Sequence, residues 1–485
     1  MLFNSFNFLI FLPVVFIAYW IIGSKHLKLQ NLFLLMCSYF FYSCWDYRFV
    51  FLLAFSTFLD YSTGIKIYES KTTRGKKRWL LLSVIINLDF LAVFKSYNFF
   101  AESFSAALLN FGFKTNPGLI NVVLPIGISF YTFHGLSYVF DIYKQRIAPV
   151  RNIIDYSVFV SFFPLLVAGP IERATHLLPQ IQNERNFNYR QAVDGLRQIL
   201  WGFFKKVVIA DNCAEFANLI FKNYSHYPGS TLVLGVFFFA IQIYCDFSGY
   251  SDIALGCARL FGIELIRNFA FPYFSRDIAE FWRRWHISLS SWFRDYLYIP
   301  LGGSRVSSLF KIRNLFIIFI ISGFWHGANW TFIIWGALNA LYMVPVVLLN
   351  RNRNNLDIVA KGKLLPGLKE LFQMITTFIL VLVAWVFFRS ENLSVAVQYL
   401  ERIFSRSIFV PPSGSSFIGS HHPFTVMTLI IIMFMIEWTG REQQYALAEL
   451  GTSWRKPLRW TFYIVLLVTT FYFSAQQQQF IYFQF

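Results

Sequence analysis

The sequence predicts an all-α, polytopic integral membrane protein, and three observations predict it. Of 485 residues, 56% are hydrophobic and 14% are charged, against about 25% charged in ordinary soluble domains. Phe alone numbers 60. The apolar residues recur in blocks of roughly 15–22 along the whole chain, and about 20 suffice for a helix to cross a hydrocarbon core ~30 Å thick.

Taken in order, blocks of spanning length fall near 6–23, 29–45, 48–65, 79–100, 121–142, 198–220, 230–248, 314–328, 331–349, 368–388, 424–438 and 459–476. Those near 314–328 and 424–438 are short enough to be partial crossings, so eleven or twelve transmembrane helices are expected. Residues 1–23, "MLFNSFNFLIFLPVVFIAYWIIG", lack a basic start and an A-x-A cleavage site, and read as a retained first span.

Charge sets the orientation. The loop "KIYESKTTRGKKR" (66–78) holds six Lys/Arg and "SKHLK" (24–28) holds two. Both read as cytoplasmic, which puts the N-terminus outside. Carried onward, the alternation leaves 35 of 42 Lys/Arg on the cytoplasmic side, with Arg48, Lys114, Lys222, Arg389, Arg402 and Arg406 outside and Lys95 within a span. The formal charge of +17 is thus a topology signal, and the partner it implies is membrane lipid, not nucleic acid. The parity holds only if two stretches fail to cross. One is 159–181, broken by Pro164, Gly169 and Pro170; the other is 249–305, which carries seven arginines. Irregular backbone at membrane depth must be buried in protein or line a cavity, so both are read as re-entrant segments around an interior. No internal repeat is visible, which weighs against a transporter built from two related halves. Residues 1–485 read as one integral domain, with core motifs over 121–349 and an external loop at 389–423 carrying an amphipathic piece near 392–404.

Polar residues at depth are the informative ones. In "YCDFSGYSDIALG" (244–256), Asp246 and Asp252 lie at the end of one apolar block and the start of the next, with Ser248, Gly249 and Ser251 between them. Ser251 or Asp252 either caps a following helix or helps line a polar cavity. In "FWRRWHISLSSWFRDYLYIPLGGSR" (281–305), Trp282, Trp285, Leu289 and Trp292 fall at helical spacing. Taken alone they predict an interfacial amphipathic helix. The alternative is that Arg283, Arg284 and Arg294, beside Trp285 and His286, hold the phosphates of a thiol carrier, since Arg forks suit phosphate. In "SGFWHGANW" (322–330), His326 sits among Trp325, Trp330, Gly323 and Gly327, with Asn329 close enough in sequence to orient its ring. It is either a hydrogen-bonded structural residue or a catalyst.

The other histidines carry less. His134 either packs or lines the same interior, while His26, His176, His226, His421 and His422 fall in expected loops. No metal spacing and no GxSxG elbow occurs, so no metal site is assigned. The five cysteines form no CxxC pair and read as small apolar packers.

Together these clusters resemble the membrane-bound O-acyltransferase (MBOAT) family, in particular its bacterial alginate and polysaccharide O-acetylating branch. The likeness runs over nearly the whole chain, through "MLFNSFNFLIFLPV", "YTFHGLSYVFDIYK", "WGFFKKVVIADN", the three stretches above and the terminal "FIYFQF". It implies the MBOAT fold around a central tunnel, in a bacterial inner membrane. It implies that His326, in the W-H-G motif, is catalytic, and that His286, in W-H-x-S-L-S, is the second marker residue. The donor is then acetyl-CoA or another acyl thioester, used as substrate with no bound cofactor. The acceptor is an extracytoplasmic polysaccharide or an acetyl-accepting partner protein. On this reading His326 is the general base, and Arg283, Arg284, Trp285, Trp325, Asn329 and Asp246 are candidate substrate or donor contacts. The alternative is a transporter or flippase of a lipid-linked sugar, with His326 as proton relay.

Overall fold

The computed structural model describes residues 1–485 except 114, 117, 121–122, 168, 413–418, 475–477, 479 and 482–485. Lys114, the middle of the expected 389–423 loop and the last four residues of "FIYFQF" therefore lie outside the described residues. Among the described residues all regular structure is helical. Among the described residues six helical runs are long and apolar enough to cross a membrane: Arg48–Glu69, Thr73–Asn110, Gly229–Leu260, Ser308–His326, Trp330–Leu348 and Leu368–Arg389. Phe6–Ile22 and Pro423–Thr439 are apolar but shorter. Most predicted blocks coincide with one helix. The 79–100 block is part of a 38-residue run, and the short 314–328 block gains a turn upstream because its helix starts at Ser308 and carries Lys311 and Arg313.

The chain forms two compact units, residues 1–195 with 257–266, and 196–256 with 267–485. In the first, polar side chains tie apolar helices together. Asp60 accepts hydrogen bonds from Ser83 Oγ (2.6 Å) and Asn87 Nδ2 (2.9 Å). Asn31 Nδ2 donates to Asp155 (2.8 Å) and to the Ile181 carbonyl (3.0 Å). The predicted re-entrant stretch 159–181 contains only short helical pieces, ending in Ala174–Gln182. That helix holds His176, which is therefore not in a loop; its Nδ1 lies 2.8 Å from Glu172 Oε2. His134 is buried, packs on Phe159 and sets Nε2 3.4 Å from the Pro170 carbonyl. Its packed reading is the correct one.

In the second unit the expected break at 248–251 is absent. Gly229–Leu260 is one 32-residue helix, so neither Ser251 nor Asp252 caps anything. Gly249 is needed for close approach, not for bending: a Cβ there would stand 2.8 Å from the Gly202 carbonyl oxygen. The two aspartates are held as ion pairs. Asp246 meets Lys206 Nζ at 2.6 Å and accepts from the Ile481 N–H at 2.8 Å. Asp252 meets Lys205 Nζ at 2.6 Å and Gln198 Nε2 at 2.8 Å. Lys206 also bonds Asp211 at 2.7 Å. A buried charge is tolerated when paired and hydrogen-bonded, which explains two lysines in an apolar helical run.

Candidate active site

The amphipathic helix predicted from the spacing of Trp282, Trp285, Leu289 and Trp292 is broken in two, Ile278–Arg284 and Ile287–Phe293, at His286. His286 has φ 44° and ψ 54°, a left-handed conformation that costs a non-glycine residue about 1–3 kcal/mol unless its surroundings enforce it. Here the segment before it does so. The Ile287 N–H donates to the Asn268 carbonyl (2.9 Å), and the Ala270 N–H donates to the Arg284 carbonyl (2.9 Å). Asn268 Oδ1 takes the Ser288 N–H (3.3 Å) and Oγ–H (2.9 Å) and lies 3.1 Å from His286 Nδ1. The break turns Trp285 and His286 inward, each 1% exposed. They are not spread on an interface.

His326 is the last residue of the helix Ser308–His326. Gly327 is extended, and Asn329 Oδ1 accepts the Thr331 N–H (3.0 Å) to cap the next helix. These two helices pack at backbone contact: a Cβ on Gly323 would stand 2.2 Å from the Phe332 carbonyl oxygen, and one on Gly336 2.2 Å from that of Phe319. Gly327 instead faces the Phe332 ring, 2.3 Å from such a Cβ. The His326 ring is fixed by edge contacts to Trp335 and Phe388, each 5.2 Å between centroids.

His286 and His326 line one cavity of about 240 Å³. Trp282, Trp285, Leu289 and Phe319 give it apolar walls, and Ser290, Ser322, Arg294, Tyr298 and Asn352 add polar groups. Few polar groups in an apolar concavity is the usual pattern of a small-molecule site. Trp325 joins the two imidazoles from behind, 4.8 Å from the His326 ring and 6.0 Å from that of His286.

The remaining predicted contacts separate by position. Trp285 lines the cavity. Arg283 donates to the carbonyls of Asn352 and Asn355, both 2.7 Å, so it reaches the cavity through Asn352. Arg284 forms an ion pair with Glu280 at 2.7 Å and donates to the carbonyls of Ala270 and Asp357. Asn329 is used as a cap and donates to the Glu391 carbonyl (2.9 Å). Asp246 belongs to the Lys206 ion pair. Among the described residues no three His, Cys, Asp or Glu side chains gather as metal ligands would. Asn268, Trp335 and Phe388 were not predicted. Asn268 had a signal, a carboxamide in the aromatic stretch "NFAFPYF", whereas the two rings were hidden among many aromatic residues.

A multi-pass helical membrane protein with two buried imidazoles on an internal aromatic cavity is the class that fold and site define. A family model described as MBOAT, membrane-bound O-acyltransferase family, matches residues 144–380. The chain is 41% identical to the probable alginate O-acetylase AlgI of Pseudomonas aeruginosa, over 84% of this chain and 75% of that protein. It is 37% identical to the peptidoglycan O-acetyltransferase of Helicobacter pylori, over 83% and 79%. It is also 29% identical to the teichoic acid D-alanyltransferase of Bacillus subtilis, over 46% and 59%. The chain belongs to the membrane-bound O-acyltransferase family and is an O-acyltransferase.

Proposed function

We propose that this enzyme moves an acetyl group from a cytoplasmic thioester, acetyl-CoA, to a hydroxyl of an extracytoplasmic polysaccharide or of a partner protein that passes it on. The chain then sits in a bacterial inner membrane with its N-terminus outside, and the 389–423 loop faces the acceptor side. The observation that carries this reading is the pair of imidazoles on one aromatic cavity. The names of the alginate and peptidoglycan relatives support acetyl and polysaccharide.

In the proposed reaction neutral His326 takes the proton of the acceptor hydroxyl as its oxygen attacks the thioester carbonyl. The tetrahedral adduct collapses, the C–S bond breaks, and the thiolate recovers the proton. The products are an acetyl ester and a free thiol. Base catalysis of this kind contributes about 10²–10⁴-fold, and holding both substrates in one cavity adds to it. Arg294 is the guanidinium on the cavity itself and is the proposed phosphate contact. Arg283 supports it by anchoring Asn352, and Arg284 by bracing the same segment through Glu280 and the Asp357 carbonyl. Purified protein in nanodiscs, given radiolabelled acetyl-CoA and an O-deacetylated polysaccharide, tests this. His326→Ala inserts normally and loses transfer by ~10²-fold or more. Full transfer by that variant overturns the base, and uptake of sugar without transfer restores the flippase reading.

A further inference from the structure

We infer that Asn268 is a positioning residue that locks His286 as its Nδ1–H tautomer, so that His286 meets the substrates through Nε2 as a hydrogen-bond acceptor, for a substrate N–H or O–H other than the hydroxyl proton that His326 takes. The inference deepens the acyl-transfer reading and rests on it.

The argument starts from a donor whose identity is fixed. A backbone N–H can only donate, so the Ser288 N–H, 3.3 Å from the Asn268 side chain, must face the amide oxygen. The amide nitrogen then points to Ser251 Oγ, at 3.3 Å, on the Gly229–Leu260 helix. With the amide oriented, the atom 3.1 Å from His286 Nδ1 is an oxygen, which only accepts. Nδ1 must therefore carry the hydrogen. In a neutral imidazole the lone pair is then on Nε2. A ring in this state cannot polarise a thioester carbonyl by donating from Nε2; it can only accept.

The strained backbone at His286 belongs to the same device. Asn268 engages the imidazole and Ser288 with its side chain and Ile287 with its carbonyl, so one residue sets both the rotation and the proton of the ring. Among the groups packed on His286 are the neutral rings of Phe247 (4.6 Å), Phe269 (6.4 Å) and Trp325 (6.0 Å); Arg294 and His326 line the same cavity. Asn268 Oδ1 thus gives Nδ1 a fixed acceptor at 3.1 Å.

Asn268→Asp separates this from a merely structural role. The carboxylate still accepts from Ser288 and from Nδ1, and the Ser251 hydroxyl can rotate to donate to it. A carboxylate beside imidazole favours the imidazolium, which has no lone pair. The acid limb of the kcat profile is expected to move up by about one pH unit or more, with membrane insertion unchanged. A limb that stays put, or activity that rises at neutral pH, overturns the tautomer. In a second arm, Asn268→Ala lowers kcat about tenfold or more on its own but adds little to His286→Ala, because the two act through one ring. Additive losses overturn the positioning role. If His286→Ala and His326→Ala both keep wild-type transfer, the acyl-transfer site falls and this inference with it. If they lose transfer while both Asn268 tests fail, only the inference falls.

Discussion

Trp325 edges the His326 ring at 4.8 Å between centroids, with the planes 74° apart. The same indole lies 6.0 Å from His286, which comes from a different helix pair. One side chain therefore touches both imidazoles, beside the contacts that Trp335 and Phe388 make to His326 and Asn268 makes to His286. Two histidines 40 positions apart in the chain are useful to one substrate only if that spacing is held, and Trp325 is the shared contact.

Trp325→Ala should lower transfer far more than binding. A displacement of about 1 Å at a reacting group costs on the order of 10²-fold, and the indole is the ring contact that the two imidazoles share. Trp325→Phe keeps a flat ring in place and should recover most of the loss. Steady-state kinetics of both variants in nanodiscs decide it. Equal activity for the alanine variant and wild type shows that the two histidines are held without Trp325.

The arginines divide by what they touch. Arg294 lines the cavity and pairs with Asp295 at 2.8 Å in an exposed setting, so it is available to exchange its partner for a phosphate. Arg294→Ala should raise KM for acetyl-CoA with little change in kcat, the signature of lost ground-state binding. Arg284→Ala should instead lower the melting temperature modestly, since the buried Glu280 carboxylate, which is 1% exposed, loses one of its two guanidinium partners and keeps Arg276 at 3.1 Å. A donor KM that is unchanged in the Arg294 variant removes the phosphate role.

How much of this was legible in the chain depended on what kind of signal each feature leaves. Helices were legible because apolar runs are long and Lys/Arg punctuate them, as at 66–78 before Lys76 and Arg78 enter the helix Thr73–Leu91. The two histidines were legible because an imidazole among tryptophans is expensive without a purpose. The continuity of Gly229–Leu260 was not legible. Ser248, Gly249 and Ser251 look like a loop until Lys205 is seen donating to Ser248 Oγ at 3.0 Å and Gly202 is seen against Gly249. The break at His286 was missed for the opposite reason: the tryptophan spacing is helical, and a side chain 18 positions earlier overrides it.

Lys206 is the cation between Asp246 (2.6 Å) and Asp211 (2.7 Å), and both its own side chain and that of Asp246 are nearly fully buried. Lys206→Met removes the shared charge and leaves two carboxylates facing each other, at a cost of about 3–5 kcal/mol. The triple replacement Lys206→Met, Asp246→Leu, Asp211→Leu should recover a large part of that, because it removes the stranded charges as well. Thermal unfolding in one detergent across the series is the measurement. A single variant as stable as wild type means that the carboxylates find other partners.

The pair His176–Glu172 predicts how stability depends on pH. Glu172 is fully buried, accepts the Ile266 N–H at 2.6 Å through one oxygen and holds His176 Nδ1 at 2.8 Å with the other. The hydrogen bond to Glu172 raises the His176 pKa above its ordinary 6.5. A group whose folded pKa is raised contributes stability that is complete below the unfolded value and is lost as pH climbs through the folded one. His176→Gln should therefore lower the melting temperature most below the ordinary imidazole value of 6.5 and progressively less as the pH climbs through the raised folded value, above which wild-type His176 is neutral as well. The imidazole is 41% exposed, so solvent screening keeps the effect modest. The measurement is the difference between wild type and variant at each pH in the same detergent, which cancels the titration of every other group. A difference that grows with pH would mean that the ring is held neutral, and that Glu172 is committed to the backbone alone.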